Sequence, residues 1–251
     1  MILRFAFVIL LGIATLPAQT ESSVVGVGPF LHIVSDLDQS LAFYHDTLGL
    51  ELSGPAGEHK FTDNPAVANL YDVPGKQFRA AILKIPGSAM GIELVQWGEA
   101  RTPTHHGVAD PGAVTLILQQ PAADPKTLHD PDGFPVEVEQ SANPGAELAV
   151  SVSDVSTTMA LYAWLTVPGT AVHIRFTKAK GSEGLNIPFP EPGRGMLRLP
   201  VHNIDVLTAS LKTAGFSVIT TGGEPVTLPQ GPRVIILRDA NNFYLQLMET
   251  R

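Results

Sequence analysis

One stretch, residues 30–52, constrains the fold more than any other part of this 251-residue chain. It opens with an apolar run at residues 30–34, which is typical of a buried strand. Asp36 follows, and its short side chain can cap the free N–H groups of a helix. Apolar residues then recur at helical spacing, at Leu37, Leu41, Tyr44 and Leu48. Gly49 suits a left-handed helix end, and residues 50–52 begin the next strand, so the stretch predicts a strand, a short capped helix and a strand.

The chain repeats this pattern weakly. Residues 31–48 have a counterpart at 148–162, where a strand is again followed by Ser-Asp and an amphipathic helix that ends in an aromatic residue. A turn rich in Asp, Gly and Asn, followed by an alternating strand, occurs at 128–139 and again at 237–249. Two elements that recur in the same order indicate duplication and predict domains at 24–141 and 145–251. The boundary is the turn-rich linker 141–145.

A third helix is predicted at residues 203–214, with Val206, Leu207 and Leu211 directed inward and Gly215 ending it. Residues 113–140 contain only short strands and turns, so the module that they form lacks the helix seen in the other repeats.

The opening motif, residues 34–52, resembles the start of a module of the vicinal oxygen chelate superfamily, which includes glyoxalase I, bleomycin-resistance proteins and extradiol dioxygenases. The resemblance implies an α+β fold of two fused domains. Each is built from βαβββ modules with curled mixed β-sheets, and one module is shortened. The superfamily is functionally broad, so the resemblance specifies the fold better than the reaction.

In this superfamily the strands curl into a cup, where a divalent metal is held by His, Gln or Glu at four strand positions. Such ligands suit Zn, Ni, Fe or Mn, and open coordination positions take paired oxygens of the substrate. The resemblance places Glu93 and Glu137 at the ligand positions that close the first and second modules. A Glu facing an apolar cup is costly unless it is paired or metal-bound, so we expect these two glutamates to line one cup.

The other ligand positions of the first half do not carry ligands. The position seven residues before Asp36 is Pro29, which cannot ligate, and the position opening the second module falls on Ala113. His105 and His106 precede Ala113. They are candidates to reach the metal from a loop, although adjacent histidines are also common in exposed loops.

In the second half, the resemblance places Glu147 and Gln246 at ligand positions and Met196 where a His would be expected. Glu147 and Gln246 are therefore candidates to bind a metal weakly or to hydrogen-bond a ligand. Glu147 is equally well explained as a solvated residue at the start of a strand.

Three further polar residues are given structural interpretations. His32 is at odd offset from Pro29 on its strand, so its side chain is expected to point away from the cup, towards the helix, as a core histidine. Asp130 and Asp132 are expected to form a turn, because Asp side chains bond to their own turn backbone.

Composition limits the partners and the compartment. A net charge of −8 argues against nucleic acid and against an anionic membrane surface. Residues 1–18 have the charged start, apolar core and small-residue end of a secretory signal peptide, with an uncleaved anchor as the alternative. Either reading places the remainder outside the cytoplasm, either periplasmic or secreted. Since the chain has no Cys, it has neither disulfides nor thiol chemistry.

Two functions follow from the sequence. The first is an exported glyoxalase/dioxygenase-superfamily protein that uses a divalent metal as a lyase, isomerase or dioxygenase on a small molecule. The alternative is a metal-free small-molecule binding protein of the bleomycin-resistance type. The absent His ligands favour the alternative and the retained glutamates favour the enzyme, so whether the protein is an enzyme stays open. Its partner is expected to be a small molecule, and an oligomer is compatible with the sequence.

Overall fold

The computed structural model describes residues 24–54, 59–99, 110–162, 173–181, 190–229 and 231–250. The predicted signal peptide, residues 1–18, and the candidate ligands His105 and His106 lie outside these ranges.

The described residues form fifteen strands and four helices. The strands of the first part of the chain are β1 Phe30–Ile33, β2 Glu51–Ser53, β3 Thr62–Asp63, β4 Gln77–Lys84, β5 Ile92–Trp97, β6 Val114–Gln120, β7 Lys126–His129 and β8 Pro135–Gln140. The remaining strands are β9 Gly145–Val152, β10 His173–Lys178, β11 Gly195–Val201, β12 Ser217–Val218, β13 Val226–Thr227, β14 Arg233–Arg238 and β15 Tyr244–Glu249. The helices are α1 Leu37–Leu41, α2 Pro65–Leu70, α3 Val155–Leu161 and α4 Ile204–Thr213.

The strands form two mixed sheets. The larger has the order β12-β14-β15-β11-β1-β5-β4-β2, with β13 added to β14 and β3 added to β4. The smaller has the order β10-β9-β6-β8-β7. This is the predicted α+β architecture with mixed sheets, and no helix is present in the short module β6-β7-β8, as expected.

The division of the strands between the two sheets does not coincide with the predicted domain boundary at 141–145. Strand β1 pairs with β11 antiparallel in the larger sheet, so that sheet combines the first and last parts of the chain. In the smaller sheet β6 pairs with β9 across the linker. The domains 24–141 and 145–251 therefore stay a prediction about the duplicated sequence. In the structure, strands within residues 30–97 share the larger sheet with strands within residues 195–249. Strands within residues 114–140 share the smaller sheet with strands within residues 145–178.

The helix starts predicted at the two Ser-Asp pairs are confirmed. Asp36 caps α1, since its Oδ1 accepts from the backbone N–H groups of Asp38 at 2.9 Å and Gln39 at 3.1 Å. Asp154, its counterpart in the repeat, caps α3 through the N–H of Thr157 at 2.6 Å. After Leu41 the first helix widens into π-helical turns, Ala42–Thr47. Apolar spacing does not distinguish such turns from α-helix, so the sequence could not predict this widening.

The main hydrophobic core lies between the two sheets. It takes Phe30 and Leu94 from the larger sheet, Leu116 and Leu148 from the smaller sheet, and Leu207 from α4. A separate cluster lies on the opposite face of the larger sheet, around Leu31, Val95, Met196 and Tyr244. Because side chains alternate along a strand, neighbouring residues of β1 and β5 serve these two clusters in turn. The central strands are therefore buried on both faces.

Helix α4 corrects one sequence expectation. Leu207 and Leu211 are buried as predicted, but Val206 is 67% exposed. Residues four apart share a helix face, so Leu207 and Leu211 point together into the core. Val206 precedes Leu207 by one residue and therefore points about 100° away from that face.

We expect Leu207→Ala to lower the free energy of unfolding by about 2–5 kcal/mol, because the truncation leaves a cavity in a packed core. Val206→Ala, one residue away on the same helix, should change it by less than about 0.5 kcal/mol. Urea denaturation followed by circular dichroism measures both values. Equal losses for the two variants would contradict the orientation of α4.

Candidate functional site

A cavity of about 240 Å³ opens on the outer face of the larger sheet. Its walls are mostly apolar and come from α2, the central strands and the segment before β14; they include Val67, Leu70, Phe78, Val95, Leu228 and Met248. We call this cavity the cup. Ligand pockets are typically concave and apolar with a few polar groups, and the cup has this character.

The polar floor of the cup is built on three strands of the larger sheet, β5, β11 and β15, with β1 lying between β5 and β11. Glu93 on β5 alternates with Ile92 and Leu94, which point into the main core, so Glu93 faces the cup. Arg198 on β11 and Gln246 on β15 are register partners and face the same way. Strand pairing thus brings together three polar side chains that are far apart in sequence.

Arg198 connects the other two residues of the floor. Its Nε donates to Oε1 of Gln246, and its Nη1 lies 2.8 Å from Oε2 of Glu93 in an ion pair. The side chains of Arg198 and Glu93 are only 18% and 16% exposed. The contact is not aligned as a hydrogen bond, so Oε2 of Glu93 is buried without a hydrogen-bond donor among the described residues.

Gly28 makes room for the Arg198 side chain. Its backbone N–H donates to the carbonyl of Arg198 at 2.9 Å, which holds the segment before β1 close to β11. A Cβ at position 28 would lie 2.9 Å from both Cγ and Cδ of Arg198. The absence of a side chain at this position therefore allows the guanidinium to extend over the floor.

Tyr71, directly after α2, is the fourth polar residue of the cup. Its pKa is raised above the usual value, first by burial and then by the charge of Glu93, although Arg198 and a hydrogen bond with Gln246 act in the opposite direction. The hydroxyl consequently stays protonated and neutral under physiological conditions.

The structure separates the two glutamates that were expected to share a cup. Glu93 lies on β5 of the larger sheet and Glu137 on β8 of the smaller sheet. Both alternate with residues of the main core, so they face away from it on different sheets. The prediction that they converge is therefore wrong in this structure, because β8 pairs with β6 rather than with any strand near β5.

Each of these glutamates lies near one of the other candidate residues. Gln246 lies in the cup beside Arg198, together with Glu93. Glu147 and Glu137 are both register partners of Ile117 on the smaller sheet. Glu147 is not a solvated strand end, since it is buried and forms a two-point ion pair with Arg175 at 2.9 and 2.7 Å.

Sequence reasoning missed Arg198 and Tyr71. Counting along the motif pointed to Met196, which is buried in the same outer cluster two residues before Arg198. The sequence feature that could have identified Arg198 is its charge, because it is the one charged residue in the otherwise apolar strand sequence 195–201. For Tyr71 the sequence carries no such signal, because its place in the cup depends on where α2 packs.

A second polar cluster lies inside the core. His32, Asp130 and Asp132 each offer a ligand atom, and these atoms all lie within 4.8 Å of one another. All three side chains are buried. An imidazole and two carboxylates are a donor set that could hold a divalent metal.

The acceptors of this cluster are already engaged. Asp130 Oδ1 accepts from the N–H groups of Asp132 and Phe134, at 2.9 and 2.8 Å. Its Oδ2 lies 2.6 Å from Nε2 of His32 and accepts from the Tyr44 hydroxyl at 3.2 Å. Asp132 accepts from the backbone and the hydroxyl of Ser35. The two aspartates are therefore the expected turn formers, and they fasten the turn to the first helix.

The duplicated half contains the same turn without a histidine. Asp239 accepts from the N–H groups of Asn241 and Phe243 at 2.8 Å, and the Tyr162 hydroxyl donates to it at 3.0 Å. Asn241 in turn accepts from the N–H of Ser153 at 2.9 Å. Since this copy keeps its geometry with an Asn and no imidazole, the network is explained by folding rather than by metal binding.

His32 is expected to be doubly protonated. Its Nδ1 lies 3.1 Å from the carbonyl of Arg194, which can only accept, and its Nε2 faces the Asp130 carboxylate. Burial is the largest single effect and lowers the pKa of His32, but the charge of Asp130, the hydrogen bond to it, the charge of Asp132 and the bond to the Arg194 carbonyl together outweigh burial and raise the pKa. Burial also opposes ionisation of Asp130, yet His32 and the hydrogen bonds lower the pKa of that carboxyl. The result is a buried ion pair.

Comparison with models of known protein families identifies the family of this chain. The model of the Glyoxalase/Bleomycin resistance protein/Dioxygenase superfamily matches residues 26–247. The chain belongs to this superfamily. No curated protein sequence matches it.

Solved structures agree with this fold. A mutant glyoxalase I from Zea mays superimposes with a TM-score of 0.60 at 13% identity, covering 90% of this chain and 94% of that one. A putative dioxygenase from Bacillus subtilis gives 0.54 at 14% identity, covering 91% and 86%. The cppA protein from Streptococcus pneumoniae gives 0.53 at 12% identity, covering 91% and 99%. At these identities the likeness concerns the fold alone.

Proteins of this superfamily commonly bind divalent metals, and both polar centres of this structure contain donors of the kinds that such metals use. In the cup, Glu93 and Gln246 are donors of the right kind, but the Arg198 guanidinium lies between them. In the buried cluster the donors are suitable in kind, but both nitrogens of His32 and all the acceptor sites of Asp130 are already used in hydrogen bonds. Neither arrangement fits a metal without displacing the bonds that form it.

None of the helices in the described parts of the chain is long and apolar enough to cross a membrane.

The His32–Asp130 pair predicts a specific pH dependence of stability. Because folding raises the pKa of His32, the folded state holds its proton more tightly, so this contribution is full below about pH 6.5 and is lost as pH rises through the raised value. Because folding lowers the pKa of Asp130, its contribution is present above about pH 4 and is lost as pH falls through the lowered value.

The difference in unfolding free energy between wild type and His32→Gln should therefore be largest between about pH 4 and 6.5 and shrink towards pH 9. Urea titrations at several pH values measure it. A difference that is constant from pH 5 to 9 would show that the imidazole does not carry a charge in the folded protein.

Proposed function

We propose that this protein binds a small organic molecule in the cup of its larger sheet, without a metal ion. This is the function of a superfamily member of the bleomycin-resistance type. The observation that carries the proposal is Arg198, which is ion-paired to Glu93 and hydrogen-bonded to Gln246 at the cup floor. The resemblance to the superfamily implies ligand positions at Glu93 and Gln246, and in this structure the guanidinium of Arg198 lies between them.

Electrostatics favour this reading. A divalent ion about 4 Å from the guanidinium would be repelled by roughly 8 kcal/mol at an effective dielectric constant of 20. Metal binding would also remove Glu93 and Gln246 from Arg198, leaving a largely buried guanidinium without partners. Both effects oppose a metal while Arg198 keeps its present position.

The shape of the cup supports a small ligand. Its volume of about 240 Å³ lies just below the range of roughly 300–1,000 Å³ that is typical of drug-sized molecules. The walls are apolar and the polar groups are gathered at the floor, so a ligand would enter with its polar end first. Binding would be driven by the apolar area removed from water and oriented by the floor.

The second candidate is a metal-dependent lyase, isomerase or dioxygenase. It is favoured by Glu93 and Gln246, which converge in one cup and are ligand types used by the superfamily. This function requires Arg198 to leave the floor, after which the carboxylate and the amide would be free to ligate.

Metal analysis combined with ligand screening distinguishes these two functions. We expect wild-type protein to contain far less than one divalent metal per chain. We also expect small apolar molecules to raise its melting temperature equally with and without a chelator. Arg198→His, which replaces the cation with an imidazole between Glu93 and Gln246, should gain affinity for Zn or Ni.

Glu137→Gln on the smaller sheet is the matched control and should change neither property. Near-stoichiometric metal in wild type that is lost in Glu93→Gln, together with ligand binding that a chelator abolishes, would establish the metal-dependent enzyme instead.

Export is the second part of the proposal, and the sequence of residues 1–18 supports it. Expression of the full chain in a bacterium should yield mature protein in the periplasm or the medium. N-terminal sequencing should place its first residue close to Ala18. Protein that stays in the cytoplasm with its Met1 start would contradict export, and full-length protein in the membrane fraction would indicate an uncleaved anchor.

A further inference from the structure

The charges at the floor of the cup restrict the class of ligand that the cup can bind. Glu93 and Arg198 are the only two residues of the described cup lining with side chains that are ordinarily charged, and they form one ion pair. Gln246 and the Tyr71 hydroxyl are neutral. The floor therefore carries both signs of charge with no net excess, inside an apolar cavity.

Both members of the ion pair retain unused hydrogen-bonding capacity. No described residue donates a hydrogen bond to the Glu93 carboxylate, whose Oε2 is buried against Arg198. On Arg198, Nε is used by Gln246 and Nη1 faces Glu93, whereas Nη2 has no acceptor among the described residues. A carboxylate can accept up to four hydrogen bonds and a guanidinium can donate five, so each has capacity for a ligand.

A charged ligand would disturb this balance. A carboxylate placed against Arg198 would lie beside Glu93, and an ammonium placed against Glu93 would lie beside Arg198. Like charges brought together in a cavity cost several kcal/mol. A neutral head that accepts from the guanidinium and donates to the carboxylate would satisfy both groups without adding charge.

Resting on the proposed function, we infer that the cup selects an uncharged ligand with an apolar body and an amide-like head, whose oxygen accepts from Arg198 and whose N–H donates to Glu93. The apolar body would lie against Leu70, Val95 and Met248.

Three probes of nearly identical shape test the charge of the head: benzamide, benzoate and benzamidine, which are neutral, anionic and cationic at pH 7. Titrations of the mature protein in the presence of a chelator, followed by NMR, give the three dissociation constants. Benzamide should bind at least about tenfold more tightly than either charged probe. Benzoate or benzamidine binding as tightly as benzamide would overturn the inference.

Charge-changing variants provide the second test. In Glu93→Gln the floor carries a lone cation, so benzoate should become the preferred probe. In Arg198→Gln it carries a lone anion, so benzamidine should become preferred. Glu137→Gln on the other sheet is the control and should keep the wild-type order. Circular dichroism identifies any variant that fails to fold, and the wild-type ranking together with the remaining variant then decides.

The outcomes separate this inference from the function on which it rests. If benzoate binds wild type best and Arg198→Gln abolishes that binding, the cup binds ligands but the neutral head is wrong. If all three probes fail to bind, the amide-like head is wrong, and the melting-temperature screen with chelator remains the test of the cup itself. An unchanged order of the three probes in both floor variants would also overturn the inference.

Discussion

Burial of the central strands on both faces is the constraint on which this structure depends. Each of the four residues of β1 is nearly inaccessible, because one face of the strand meets the core between the sheets and the other meets the outer cluster. A strand in this position must be apolar throughout, and any polar residue on it needs a partner. His32 meets this requirement through Asp130 and the Arg194 carbonyl. On the neighbouring strands, Glu93 and Arg198 meet it through each other.

Local structure could be predicted well from the sequence. The Ser-Asp signals identified both capped helices, and the Asp-rich segments identified both buried turns, because capping and turn formation depend on residues within a few positions. The orientation of His32 away from the cup also followed from strand alternation, which is a local property. The prediction for Val206 was wrong for a local reason as well. Val206, Leu207 and Leu211 were all assigned to the inward face of the helix, but only Leu207 and Leu211 lie on it.

The candidate site was only partly predictable, because it depends on which strands pair. Alternation correctly directed Glu93 and Glu137 away from the core, but it contains no information on whether β5 and β8 share a sheet. The duplication suggested that neighbouring units pair, whereas in the structure the first unit pairs with the last. Nonlocal pairing of this kind is decided by the whole core, and it replaced a site of two glutamates by one of Glu93, Arg198 and Gln246.

The two halves of the duplication show which features are required by folding and which can vary. Both retain the buried Asp turn tied to a tyrosine and a Ser backbone, although burial raises the pKa of Asp239, while His32 lowers that of Asp130. The outer faces of the sheets have diverged instead. The position of Glu93 carries Arg175 in the smaller sheet, and that of Arg198 carries Ile117. A turn that anchors the helix tolerates little change, whereas the outward residues of a curved sheet can be replaced without altering the core. One fold can thus present a neutral polar cup on one sheet and an acidic face on the other.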